Sequence, residues 1–154
     1  MHTIKYDPLM IAIRSLALLM TARVNFKSES IGQKIFVNAQ EYTIFRHAVL
    51  KNHQQPQGIF CVWFSPKMSP LKTKILSFFT MIGFIGFPGW ISKKWLLNKA
   101  GDFCGIYEFD TVTNAQNYQN SFAMEFSKWR SREGRFRTEV FDRKTFTPDL
   151  QYDV

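Results

Sequence analysis

Apolar positions in this chain fall into short runs suited to strands and longer runs at helical spacing, and their order predicts the architecture. Residues 59–64, IFCVWF, are a continuous apolar run ending at Ser65-Pro66, as a buried strand would be. Ser69-Pro70 follows as an N-cap with proline in the first helical position, so a helix is predicted over 71–82. Leu71, Ile75, Phe78, Phe79 and Ile82 recur at helical spacing and are its expected buried stripe. Gly83 and the turn over 86–89 stop it. The stretch 87–110, FPGWISKKWLLNKAGDFCGIYEFD, then reads as two apolar-aromatic strands joined by the polar link Asn98-Lys99-Ala100-Gly101-Asp102. Thr113-Asn114-Ala115-Gln116 is a capping box for a second helix with Ala115, Tyr118, Phe122, Phe126 and Trp129 on one face. Residues 130–134 break that period, and Phe136, Thr138 and Val140 alternate with Arg137, Glu139 and Phe141 as a last strand.

Strand, helix, strand, strand, helix, strand is the ferredoxin-like βαββαβ plan, an α+β fold with two helices on one face of an antiparallel sheet. In the third core strand, Phe103, Tyr107 and Phe109 fall on one side and Cys104 and Ile106 on the other, so both faces need cover. The economical second cover is another copy of the sheet, which predicts a homodimer. Ahead of this unit, 8–22 predicts a helix and 35–49 a hairpin around Asn38-Ala39-Gln40, with 51–57 as a linker. The expected organisation is an extension over 1–57, the ferredoxin-like domain over 58–143 and a tail over 144–154.

With 154 residues the chain can bury a core without staples. Cys61 and Cys104 lie in apolar runs with no CxxC spacing, so they read as reduced structural residues of a cytoplasmic protein. The net charge of +8 gathers partly at Lys128, Arg130, Arg132, Arg135 and Arg137, read as a solvated basic face. No aromatic-basic strand of the RNA-binding kind accompanies it, so no nucleic-acid partner is expected. Residues 9–20 are apolar but too short to span a bilayer, so they predict a docked helix or a peripheral membrane contact helped by the positive charge. No HExxH, clustered His/carboxylate set, Walker lysine or dinucleotide-type glycine spacing occurs, so no metal and no phosphate-bearing cofactor is expected.

Residues 58–143 resemble the YdhR-like monooxygenases of the dimeric α+β barrel superfamily, relatives of the antibiotic-biosynthesis monooxygenases. The resemblance is carried by Phe87-Pro88-Gly89 ahead of Ser92-Lys93-Lys94-Trp95, by Gly105-Ile106-Tyr107-Glu108-Phe109 with the capped helix after it, and by Glu139-Val140-Phe141-Asp142. It implies paired ferredoxin-like subunits, each with an apolar pocket between sheet and helices. Members of that superfamily include cofactor-independent oxygenases, haem-degrading enzymes, cyclases and proteins without known activity, so fold alone chooses no reaction.

Cofactor-free oxygenation needs an aromatic pocket and one proton-handling group, because the substrate anion itself supplies the electron to oxygen. Trp63, Trp95, Phe122 and Phe126 are the expected substrate-binding residues, although rings of this kind serve equally as core. Tyr107 and His47 are the candidate catalytic residues, and Lys94 and Glu108 qualify only if their strand faces turn inward. The other histidines, His2 and His53, lie in polar surroundings. No histidine falls within 58–143, which disfavours a histidine-ligated haem and leaves a cofactor-free site as the expectation. The alternative reading is a non-catalytic module that binds a hydrophobic ligand or a membrane surface.

Overall fold

A computed structural model describes residues 6–146 and, as backbone alone, 149–151; His2 lies outside the described residues. Helix α1 (Pro8–Met20) starts at Asp7, whose carboxylate accepts from the Leu9 N–H, with proline in its first turn. Strands β1 (Val24–Phe26), β2 (Lys34–Val37) and β3 (Gln40–Leu50) follow. Asn38 and Ala39 turn the β2–β3 hairpin with φ of 51° and 62°, the left-handed pair that suits a two-residue hairpin loop. Strand β4 (Gly58–Phe64) and helix α2 (Pro70–Phe84) come next, the helix capped by Ser69 as expected. The central hairpin is β5 (Trp90–Leu97) and β6 (Phe103–Phe109).

The second expected helix is two: α3 (Val112–Gln119) and α4 (Phe122–Arg130). Its start lies two residues earlier than the capping box suggested, because the Thr111 hydroxyl, not that of Thr113, accepts from the Asn114 N–H. The break falls at Asn120-Ser121, where the Ser121 hydroxyl donates back to the Tyr118 carbonyl and competes with helix continuation. The redirected axis leaves Trp129 70% exposed instead of in the core. Strands β7 (Arg137–Asp142) and β8 (Asp149–Gln151) close the chain.

All pairings are antiparallel, and the order β7-β4-β6-β5 is the ferredoxin-like order of the four core strands. Beyond β5 the same sheet continues through β3 and β2 to β8, and β1 pairs along β3. Strand alternation then assigns each side chain to a face. Trp95, Lys93, Tyr107 and Phe60 point to the helices; Lys94, Leu96, Cys104, Ile106, Ile59 and Cys61 point to the other side.

The second face is where the expectation needs correcting. Ile35, Val37, Tyr42 and Ile44 of the N-terminal hairpin join Ile59, Cys61, Leu96, Cys104 and Ile106 in one apolar cluster, with Phe141 and Phe146 against it. The sheet curls so far that Val37 and Tyr42 share a recess with Trp63 and Arg137. The chain therefore covers its own second face, and the argument for a partner copy no longer rests on that face. Strands β1, β2 and β3 are part of the sheet itself.

The stripe expected inside α2 is also reversed. Leu71, Ile75, Phe78 and Phe79 face outward, Leu71 at 68% and Phe79 at 61% exposure, whereas Thr73, Ser77 and Met81 face the sheet. Helix α1 docks on this helix through Ser15, whose hydroxyl donates to the Ile11 carbonyl and accepts from the Gly86 N–H at 2.7 Å. A Cβ at Gly86 would lie 2.5 Å from the Ile11 carbonyl oxygen, so the approach requires glycine. No helix among the described residues is long and apolar enough to cross a membrane.

Candidate functional site

Turning polar residues inward on α2 sets them opposite an unusual patch of sheet. Lys93, buried on β5, lies with its Nζ 4.5 Å from the Trp95 ring centre, 4.3 Å from Tyr107 and 5.7 Å from Phe103. Ring faces attract a cation, but they replace only part of its hydration. Among the described residues no carboxylate and no hydrogen-bonding group engages Lys93. Burial first, then the nearby charges of Arg130 and Arg46, hold its amine well below the usual lysine range.

Arg130 comes down from α4 with its guanidinium carbon 4.8 Å from the Phe126 ring and 5.4 Å from Phe64. Arg46 enters from β3, 5.5 Å from the Trp95 ring, and donates to the Ser77 hydroxyl at 2.8 Å and the Lys74 carbonyl at 3.2 Å. The solvated basic face expected around Arg130 is thus divided: Lys128, Arg132, Arg135 and Arg137 are exposed, whereas Arg130 is turned inward. Tyr107 stacks near Phe60 and Tyr118, with ring centres 5.3 and 4.8 Å away, and burial raises both tyrosine hydroxyls above the ordinary phenol range.

These groups enclose a small cavity lined by Thr73, Ser77, Thr80, Phe84, Lys93, Trp95, Tyr107, Ser127 and Arg130, among others. Its volume is about 10 Å³, close to the least that holds one water molecule. Three polar atoms on its walls are buried without a partner: Trp95 Nε1, Thr73 Oγ1 and Arg130 Nε. A larger recess of about 410 Å³ lies at the tip of the hairpin beside β7, lined by Tyr42, Trp63, Asp102, Arg135 and Arg137. It is open to solvent, and its Arg135 and Asp102 pair at 3.6 Å. Charges already paired in water place little demand on a ligand, so the smaller cavity is the stronger candidate.

The structure separates the residues expected to form one site. Trp95 and Tyr107 share the helix side with Phe122 and Phe126, which gather around Phe84 at ring distances of 5.7 and 6.1 Å. Trp63 is on the opposite face, under the Arg137 guanidinium at 4.2 Å. His47 pairs with Lys94 across β3 and β5, and the alternation that sends Lys93 to the helices sends both of them to the other side. There its Nδ1 is 2.8 Å from the Ser30 hydroxyl, and burial with Lys94 and Lys27 nearby lowers it to about 4. Glu108 also lies on that side, accepting from the Ser92 hydroxyl at 2.6 Å. Lys93, Arg130 and Arg46 were missed; the period of two from Trp95 already places Lys93 on the tryptophan's face.

The residues of the helix-side cavity do not fit a histidine-ligated haem, because no histidine lines it. No cluster of three or more potential metal-ligating His, Cys, Asp or Glu exists among the described residues. The molecule is thus an α+β ferredoxin-like protein with an enclosed cationic-aromatic cavity between sheet and helices. No protein-family model and no curated protein matches the chain. Its fold is shared with a solved structure described as LmHde, a heme-degrading enzyme from Listeria monocytogenes, at a TM-score of 0.53 and 12% identity, covering 82% of this chain and 91% of that one. It is likewise shared with an uncharacterized ferredoxin fold protein related to antibiotic biosynthesis monooxygenases from Listeria monocytogenes 4b F2365, at a TM-score of 0.52 and 14% identity, covering 82% and 86%. At such identities the likeness speaks for the fold.

Proposed function

We propose that this protein is a monooxygenase-like enzyme of the YdhR-like kind that takes a small apolar or aromatic substrate between the sheet and the helices without a bound cofactor. The observation that carries the reading is the set of buried unpartnered polar atoms beneath the aromatic walls of Trp95, Tyr107, Phe64 and Phe84, around a resting void of about 10 Å³ that a substrate would have to open. Aromatic walls suit a flat substrate, and polar atoms left unpaired at a buried site are compatible with a ligand that pairs them. Tyr107 would anchor the substrate by hydrogen bonding, with Phe122 and Phe126 shaping the helix-side wall. The test is oxygen uptake against a panel of quinols and polyketide-like phenols. Substrate-dependent uptake that falls in Tyr107→Phe is expected; uptake no greater than buffer with every compound would refute the reading.

A second reading is favoured by the outward apolar faces of α1 and α2. Leu9, Ile13, Leu16 and Met20 on one helix, and Leu71, Ile75 and Phe79 on the other, lie exposed on a chain with net charge +8, with Lys72 and Lys74 beside them. That combination suits an anionic bilayer surface, which takes apolar side chains into its interface and attracts the lysines. Sedimentation with phosphatidylserine vesicles tests it: binding that weakens with salt and in Phe79→Ser supports the reading, and vesicles that leave the protein in the supernatant refute it.

A further inference from the structure

The polar groups around the helix-side cavity share one property: they donate. Trp95 Nε1 and Arg130 Nε are donors without acceptors, Lys93 brings an amine, and Thr73 Oγ1 can donate as well. Among the charged and titratable groups that face Lys93, Arg46 comes from β3, Tyr107 from β6, and Arg130 from α4, with Tyr118 of α3 behind Tyr107. The lining residues of α2 are the neutral Thr73, Ser77, Thr80 and Phe84, and those of β4 are Val62 and Phe64. No carboxylate is among them. The Arg46 and Arg130 guanidinium groups and the Lys93 amine meet in an enclosed aromatic space with no carboxylate on its walls.

We infer that Lys93 is the proton acceptor of this site, and that its ligand is a weak oxygen acid, a phenol or enol, whose oxygen is then held as an anion between Lys93 Nζ and Arg130. The inference rests on the oxygenase-like reading of the same cavity and names its substrate class. In the step, the ligand O–H bond breaks, its electron pair stays on oxygen, and the proton forms a new N–H bond on Nζ; nothing is oxidised or reduced. The ligand enters neutral, as an apolar enclosure favours, and the pair that forms carries no net charge. The lysine receives the proton because burial and two neighbouring guanidinium groups keep it readily deprotonated when the cavity is empty. Once the oxyanion is present, the same guanidinium groups favour it, and the unpartnered Arg130 N–H and Trp95 N–H gain an acceptor. An electron-rich phenolate or enolate is also the form able to react with oxygen, which links this step to the proposed activity. A ring enters only by displacing wall side chains, since the resting cavity is about 10 Å³.

The experiment uses the full chain and para-nitrophenol, whose anion absorbs at longer wavelength than the neutral phenol, at a pH where the free compound is mostly neutral. Wild type in excess should generate the phenolate band; Lys93→Met should not, and Arg130→Met should weaken the band's titration by about tenfold or more. Para-nitroanisole, which has no acidic proton, should compete poorly. No phenolate band with folded wild type, or an equal band with Lys93→Met, overturns the inference; tight binding of para-nitrobenzoate without a phenolate response overturns the ligand class. Should Lys93→Met fail to fold, NMR of wild type with isotope-labelled lysine Cε decides: the Lys93 resonance must move from its neutral to its charged position on adding para-nitrophenol, and a stationary resonance overturns the assignment. A clear band with no oxygen uptake from any phenol would leave the proton transfer standing and remove the oxygenase reading alone.

Discussion

The two faces of the central sheet are buried to a similar degree and are built on opposite terms. On the hairpin side, Ile35, Ile44, Leu96, Cys104 and Ile106 fill the space with apolar side chains, the Tyr42 hydroxyl at the margin finds Gln40 at 3.0 Å, and Trp63 Nε1 is buried without a partner. On the helix side, Trp95 Nε1, Thr73 Oγ1 and Arg130 Nε are buried without partners, and Lys93 is buried beside them. Each such group costs roughly 1–3 kcal/mol of desolvation. A fold selected for stability alone would place apolar side chains at these positions, as it does a few ångströms away through the same strands. More of the unpartnered polar atoms gather on the helix side, which is why the proposed site is placed there.

The largest effect should come from imposing the helix-side chemistry on the scaffold. Ile44→Asp places a carboxylate in a site only 1% exposed with no cation to meet it, and should destabilise by about 3 kcal/mol or more, read from the urea midpoint. The opposite exchange should have the opposite sign. Lys93→Met replaces a buried amine that has no hydrogen-bond partner and should stabilise the fold by about 1–3 kcal/mol, read from the urea midpoint, while removing the phenolate response. A destabilised Lys93→Met would break the comparison.

The pH dependence follows from the same residue. In the folded state the Lys93 amine ionises below its unfolded value of about 10.4, so over that interval the unfolded chain binds more protons and stability rises with pH. Below the folded value both states are protonated and the full penalty remains. Thermal unfolding of wild type should therefore shift upward toward pH 10, about where the unfolded lysine loses its proton, and that slope should flatten in Lys93→Met. His47 acts at the acidic end on the other face. Held at about 4 against an ordinary 6.5, it favours the folded state above 6.5, and that contribution is lost as pH falls toward 4. A His47→Gln variant should lose less stability than wild type between those values. The smallest effect is expected on the outer face of α2, where Phe79→Ser should change stability by no more than about 0.5 kcal/mol and alter vesicle binding alone.

Much of the fold was legible because its signals are local. Ser69-Pro70 announced α2, Gly89 with φ of 77° held the turn into β5, apolar and aromatic runs located β4, β5 and β6, and alternation located β7. The site was only half legible. Trp95 and Tyr107, singled out for their chemistry, do lie together on the helix side, but Lys93 was passed over for Lys94, since lysines ordinarily seek water. The α2 stripe was misread for a related reason: the moment of a helix gives the direction of its apolar face, and the assumption that this face turns inward fails when the interior contains cations.

Local sequence thus accounts for the elements and their caps, since hydrogen bonding within a few residues and the backbone limits of proline and glycine decide those without reference to distant parts of the chain. Placement is a different matter. That the N-terminal hairpin covers the second face, that His47 and Tyr107 end on opposite sides, and that Lys93, Arg46 and Arg130 meet behind α2 all depend on pairings between residues tens of positions apart. Such contacts follow from strand register, in which one residue's slip reverses every side chain, and register is set by the whole sheet together.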